Sequence, residues 1–219
     1  MAHYTDKTIL DTAEQMIRRR GYHGFSFRDV AEAVGIKSAS VHYHYPTKTR
    51  LAVAVVERYS RRFLKGLGPA DAQAPEAHAV LARYRAAYRQ ALTGGRMCPC
   101  GMLAAERDGL PDAVRRAVRR FFTHNRDWLA DALARTAEHE GTARTRLETQ
   151  ALAVIAGLEG AMLLARGLED DPEGGPGHGT GDGTEGGSGD DPGDGDRAKD
   201  RDRAHAGETA LFDRAAPAP

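Results

Sequence analysis

Apolar side chains return at three- and four-residue spacing through most of the first 168 positions, and that period predicts an all-α chain. The first helix is expected from about Thr5, suited to an N-cap, to about Arg20, with Ile9, Ala13, Met16 and Ile17 inward and Gly21 as terminator. Its last turn carries Arg18, Arg19 and Arg20, read either as a solvated end complementing the helix dipole or as phosphate contacts. Ser26-Phe-Arg-Asp29 has the form of a capping box, so a second helix starts at Phe27 with Phe27, Val30, Ala31 and Val34 as its stripe and Gly35 as its left-handed end.

The stretch Gly35 to Lys48 then predicts a tight turn and a short helix closed before Pro46, because a residue preceding proline is pushed out of the helical region. With Val41 set inward, an advance of about 100° per residue puts Tyr45 on the same side and Ala39, Ser40, His42 and Tyr43 on the other. One side anchors, and the other is offered to a partner. Two short helices joined by a glycine turn, with small and hydrogen-bonding residues outward on the second, form a helix-turn-helix, whose second helix enters the major groove of DNA. Ser26, Lys37, Ser38, His42 and His44 can hydrogen-bond base edges or phosphates, Ala39 can meet a thymine methyl, and Ser40 and Tyr43 complete the candidate DNA-contacting set. A fourth helix starting at Thr47 and reaching about Lys65 places Lys48 in its first turn, where it can meet phosphate beside the helix N-terminus.

Beyond a Gly- and Pro-rich joint at 66–74, only helices are expected. Pro75 to about Thr93 aligns Ala77, Leu81, Tyr84, Tyr88 and Leu92 and stops at Gly94-Gly95. A short helix follows around Gly101 to Arg107. A long one, Pro111 to His139, lines up Val114, Val118, Phe121, Phe122, Trp128, Leu129, Ala132 and Leu133. The last, about Arg144 to Leu168, is apolar around most of its circumference from Ala151 on. Its small residues Ala156, Gly157, Gly160 and Ala161 allow close backbone approach, which suits a subunit interface, or failing that a central buried helix.

The run Ala31-Glu-Ala-Val34-Gly35-Ile36, followed by Val41-His42-Tyr43-His44-Tyr45-Pro46-Thr47-Lys48, resembles the N-terminal domain of the TetR family of bacterial transcriptional regulators, with His42 where many members carry tyrosine. The resemblance implies an N-terminal three-helix DNA-binding domain, here 5–65, followed by a helical ligand-binding and dimerisation domain, 75–168. It further implies a homodimer on a pseudo-palindromic double-stranded operator, a small-molecule effector and repression, with no cofactor and no catalysis.

Charge bears on the same reading. Residues 1–66 hold 12 Lys/Arg against 6 Asp/Glu, whereas 169–219 hold 5 against 14, so the overall net charge of zero hides a basic N-terminal end of the kind a phosphate backbone requires. The span 169–207 reads as a disordered acidic, Gly-rich insertion, and Glu208 to Ala215 as the start of a possible final helix before a short tail. A cytoplasmic location is expected, since no apolar N-terminal run suggests a signal peptide. The apolar stretch 151–165 is too short for a membrane span and carries Glu159.

Two further groups of residues carry chemistry. Tyr84, Tyr88, Met97, Met102, Phe121, Phe122 and Trp128 suit either an apolar effector pocket or an ordinary core. Cys98-Pro-Cys100 lies in a Met-Cys-x-Cys-Gly-Met stretch resembling one branch of the family, and its thiols are either small buried residues at a helix start or targets of an electrophile or oxidant. A helix beginning after Cys100 would lower that thiol's pKa. As a metal site the pair lacks a second ligand pair, although His124 and His139 could approach through folding. No fingerprint of a known catalytic loop is present, and the rival to a DNA-binding regulator is a helical protein-interaction module.

Overall fold

The computed structural model describes residues 2–92 and 97–168. The acidic Gly-rich segment, the possible final helix and the Gly94-Gly95 stop therefore lie outside the described residues. Among the described residues eight α-helices run in order: α1 Ala2–Arg20, α2 Phe27–Val34, α3 Ser38–His44, α4 Lys48–Leu67, α5 Ala77–Leu92, α6 Pro99–Ala105, α7 Asp112–Leu133 and α8 Arg144–Leu168. Short 3-10 turns stand at Ala70–Ala72, Arg107–Gly109 and Ala137–His139, and no strand occurs among the described residues.

Helices α1, α2 and α3 close around Ile9, Ala13, Ile17, Val30 and Val41. The capping box is formed: the Asp29 amide donates to Ser26 Oγ at 3.3 Å while Asp29 Oδ2 accepts from the Ser26 amide at 2.6 Å. Gly35 ends α2 at φ 76°, a left-handed conformation that costs a residue with a Cβ but not glycine. α4 is shared. Leu51, Ala52 and Val55 on its first turns are buried with the N-terminal helices, and Tyr59, Phe63 and Leu67 further along are buried in the second helical layer, which packs α4 and α8 on α7 and α5 on all three.

Three sequence expectations move. α1 begins at Ala2, so Thr5 sits inside the helix and is not its N-cap. The long helix expected to reach His139 ends at Leu133, where the chain turns through a buried Thr136 whose hydroxyl donates to the Leu133 carbonyl at 2.8 Å. Arg18 is buried, not solvated: its guanidinium bonds Glu14 and donates to the Met97 carbonyl at 3.1 Å.

α8 also differs from its expectation. Taken whole it is 25 residues long, enough by length and composition to cross a membrane, so shortness does not exclude a span. Here one side of it packs on α5 and α7 through Leu147, Ala151, Ile155, Leu158, Ala161 and Met162. The opposite side exposes Leu152, Leu163, Leu164 and Leu168. Ala161, expected among the close-approach residues, belongs to the buried side, while Ala156 faces out and Gly157 and Gly160 are half-buried.

Candidate nucleic-acid interface and effector site

α3 is held by its two predicted anchors. Val41 is fully buried, and Tyr45, just past the helix end, is buried with its hydroxyl donating to Asp6 Oδ1 at 2.7 Å. Desolvation and the Asp6 carboxylate push the Tyr45 pKa well above its ordinary value, so the donor stays protonated. Opposite the anchors, Lys37, Ser38, Ala39, His42 and Tyr43 are exposed, with Tyr43 at 84%, while Ser40 and His44 are half-buried. His42 leans its ring edge-on against Phe27, 4.5 Å between centroids, which fixes its direction without covering it.

Two members of the candidate set are already engaged. Ser26 is exposed, but its hydroxyl both caps α2 and donates to Asp29 at 2.9 Å. Lys48 is half-buried: its ammonium donates to the Phe25 carbonyl and lies over the Tyr22 and Phe25 rings at 4.8 and 4.5 Å. Desolvation lowers its pKa against the opposing pull of Glu106 and Asp29. Thr47 caps α4 by accepting from the Arg50 amide at 3.2 Å.

The aromatic set fills space instead of lining it. Tyr84, Tyr88 and Phe121 are fully buried and pack with Tyr59, Phe63 and Trp128 in edge and stacked contacts between 5.3 and 5.9 Å. The Tyr84 hydroxyl donates to the buried Asn125 at 2.9 Å, and Trp128 Nε1 donates to the Gly68 carbonyl at 2.8 Å. Met102 and Phe122 are half-buried at its edge.

Beside this core, Cys98 and Cys100 are both buried. α6 starts at Pro99, not after Cys100, so Cys98 is the residue at the helix N-terminus. Although burial pushes its pKa up, the Cys100 thiol and the amides of Gly101 and Cys100 outweigh that and bring it down to about 6, whereas burial and the Cys98 charge push Cys100 up. The expected preference between the two thiols is thus reversed. Glu159, read from the sequence only as an obstacle to membrane insertion, completes the cluster. Its Oε1 accepts from the Tyr88 hydroxyl at 3.3 Å, and its Oε2 lies buried over Gly101 beside Cys98, where an added Cβ would overlap it. Desolvation first, and then the Cys98 charge, raises the Glu159 pKa well above 4.5. His124 is exposed on α7, His139 shares a 2.9 Å hydrogen bond with Thr136, and no metal-holding group of His, Cys, Asp or Glu occurs among the described residues.

This cluster sets a pH dependence. A carboxyl whose pKa is raised on folding gives stability that is present below its unfolded value and lost as pH rises; a thiol whose pKa is lowered does the opposite. Stability is therefore expected to fall between about pH 4.5 and about pH 6, after which Cys98 ionisation offsets the trend. Glu159→Gln should remove the decline, as read from urea midpoints across that window; an unchanged slope would place the titration elsewhere.

An open concavity of about 490 Å³ lies elsewhere, between α6, α7 and α8. In the sequence, Arg115, Arg119, Phe122 and Arg126 repeat at helical spacing along one edge of the α7 core stripe.

The residues 9–55 match the model of the bacterial regulatory proteins of the tetR family, and 74–172 match that of the LmrA/YxaF-like transcriptional regulator C-terminal domain. The crystal structure of a TetR transcriptional regulator from Legionella pneumophila is 31% identical with a TM-score of 0.68, the match covering 74% of this chain and 87% of that one. A TetR family regulator from Agrobacterium tumefaciens is 30% identical with a TM-score of 0.68, over 78% and 91%. An uncharacterized HTH-type transcriptional regulator from Lactococcus lactis subsp. lactis is 24% identical over 173 residues, 76% of this chain and 85% of that protein. A capped α2, a left-handed glycine turn and an anchored α3 with an open outer face, found in a chain so related, make this protein a member of the TetR family of DNA-binding transcriptional regulators.

Proposed function

We propose that the protein is a homodimeric repressor that lays the α3 helices of two copies into successive major grooves of a pseudo-palindromic operator and leaves it when a small molecule binds. The observation that carries this is α3 itself, whose Ala39, His42 and Tyr43 are exposed while Val41 and Tyr45 anchor the other side. Exposed Lys37 and Ser38 at the start of the helix are placed for phosphate or base edges. Lys48 acts differently from a free phosphate ligand: it ties the start of α4 to Phe25 and so sets the angle of the helix pair. Nuclease protection on DNA upstream of the protein's own gene and its neighbours tests the reading. Absence of any protected palindrome would favour a helical interaction module.

The outer leucines of α8 supply the second copy's seat. Leu152, Ala156, Leu163, Leu164 and Leu168 lie at helical spacing on its exposed side, and a contiguous apolar stripe of that length is unusual on a lone soluble chain. Leu164→Glu should leave each copy folded, since the side chain is 60% exposed, and should weaken dimerisation by about 2 kcal/mol or more by desolvating a charge. Light scattering that showed an unchanged dimer would move the interface off α8.

A second trigger is a thiol one: Cys98 stands at the start of α6 with its pKa brought down to about 6, but its side chain is fully buried, so an electrophile reaches it only when the helices around it open. Operator release by N-ethylmaleimide in the wild type but not in Cys98→Ser supports it; release that survives in Cys98→Ser, Cys100→Ser and the double variant leaves reversible binding as the mechanism.

A further inference from the structure

The concavity between α6, α7 and α8 has an apolar floor and a cationic rim. Its floor is Leu103, Leu110, Val118, Phe122 and Leu152. Arg107, Arg115, Arg116, Arg119 and Arg126 stand around it, against one lining acid, Asp112, which is already paired with Arg115. Arg126 pairs with Asp127 and Arg107 with the fully exposed Asp108, while Arg116 and Arg119 have no carboxylate partner among the described residues. A volume of about 490 Å³ lies within the roughly 300–1,000 Å³ usual for small-molecule sites. Unpaired guanidiniums beside apolar side chains complement a molecule with an anionic head and an apolar body, and a guanidinium pair suits a carboxylate in particular.

The wall of this site is also one of the places where the second domain touches the reading head, beside the Arg18 bond to the Met97 carbonyl and the Arg166 bonds to the carbonyls of Arg18 and Arg19. Between the lining residues Leu103 and Arg107 on one side and Leu110 on the other, Glu106 Oε2 accepts from the Tyr22 amide at 2.6 Å, and the Gly109 carbonyl accepts from His23 Nε2 at 3.1 Å. Tyr22 and His23 are the turn that joins α1 to α2. Moving the wall relative to α7 must strain or break these two bonds, or carry the α1–α2 turn with it.

We propose that this groove binds an acidic amphipathic small molecule, a carboxylate on an aliphatic or aromatic body, and that its occupancy is passed to the DNA-binding helices through Glu106 and Gly109. The proposal rests on the reading of the protein as an effector-released regulator and names the effector's class and seat. The ligand shifts DNA affinity only as far as it prefers the DNA-free arrangement, and the operator must weaken ligand binding by the same factor. Leu152 also begins the outer stripe of α8, so the groove opens at the edge of the proposed dimer interface.

The test uses the full chain with decanoate and 2-naphthoate as probes and decyltrimethylammonium as the cationic control, followed by calorimetry and by anisotropy of labelled operator. The carboxylates should bind and the cation should not. Arg116→Glu/Arg119→Glu, two exposed positions, should weaken carboxylate binding at least tenfold with an unchanged melting temperature, and saturating carboxylate should weaken operator binding in the wild type alone. Equal carboxylate affinity in wild type and double variant overturns the site, as does binding seen only after residues 169–219 are removed, which would give the groove to that acidic segment. Carboxylate binding that leaves operator affinity untouched overturns the transmission. A protein that protects its operator but ignores both carboxylates sinks the groove and keeps the regulator, whereas one that binds no operator fails the regulator reading itself.

Discussion

Replacing Glu14 with alanine is expected to destabilise the protein by about 3–5 kcal/mol, the cost typical of removing one partner from a buried ionic network. Glu14 is buried on α1 and accepts from three arginines: Arg18 at 3.0 and 3.2 Å, Arg58 at 2.9 Å and Arg62 at 2.6 and 2.7 Å. Arg58 reaches Asp11 as well, so one of the three would keep a carboxylate after the change. Arg18, nearly as buried as Glu14, would keep its bond to the Met97 carbonyl but lose this carboxylate. Two of the arginines come from α4, and the network is the polar seam that joins α1 to it.

Burial alone would raise the Glu14 pKa. The attraction of Arg18 and Arg62 and the hydrogen bonds from Arg18 and Arg58 outweigh it and bring the net value below 4.5. A lowered folded-state pKa gives stability that is present above the unfolded value and lost as pH falls through the folded one. Wild-type stability should therefore decline below about pH 4.5, and Glu14→Ala should flatten that limb. Chemical denaturation at about pH 7 and about pH 3.5, on either side of the unfolded carboxyl's titration, measures both. A loss under about 1 kcal/mol at neutral pH, the range of an exposed pair, would show that the arginines find water or Asp11 at little cost.

Tyr43→Ala should reduce operator affinity about 10- to 100-fold, the loss expected of one or two good contacts at a base edge or its flanking phosphate. The same change should leave the melting temperature where it was, because the ring is 84% exposed and its one ring contact among the described residues is an edge-on approach to His44. Anisotropy titration against specific and scrambled duplexes separates the two sorts of contact. A drop confined to the specific duplex marks base readout, and an equal drop on both marks phosphate. Normal binding by this variant would mean that α3 presents another face.

Local patterns were legible because local chemistry determines them. The Ser26–Asp29 box, the left-handed Gly35 and the Val41/Tyr45 anchor depend on neighbours within a few residues, and each forms as the sequence predicts. Arg18 was not legible: beside Arg19 and Arg20 it looks like a solvated helix end, and its burial depends on a network completed by Arg58, Arg62 and Met97, all distant in sequence. The aromatic residues of α5 and α7 were legible as inward, but periodicity cannot say whether inward side chains line a void or fill it. Here they fill it, because α4 contributes Tyr59 and Phe63 to the same space. The role of Glu159 was not legible for a similar reason, since it depends on Gly101 of α6 lying against α8.

Gly101 and Glu159 are bound to each other in what they can mutate to. A methyl group added at position 101 would sit where the Glu159 carboxylate lies, so that carboxylate would have to swing away and give up its 3.3 Å bond from Tyr88. Once Glu159→Ala has shortened that side chain, the methyl of Gly101→Ala enters vacated space, and α6 gains at most about the 1 kcal/mol by which alanine exceeds glycine in a helix interior. The two substitutions are therefore non-additive: Gly101→Ala alone displaces the carboxylate, Glu159→Ala alone takes the acceptor from the buried Tyr88 hydroxyl, and in the double variant the first of these costs disappears.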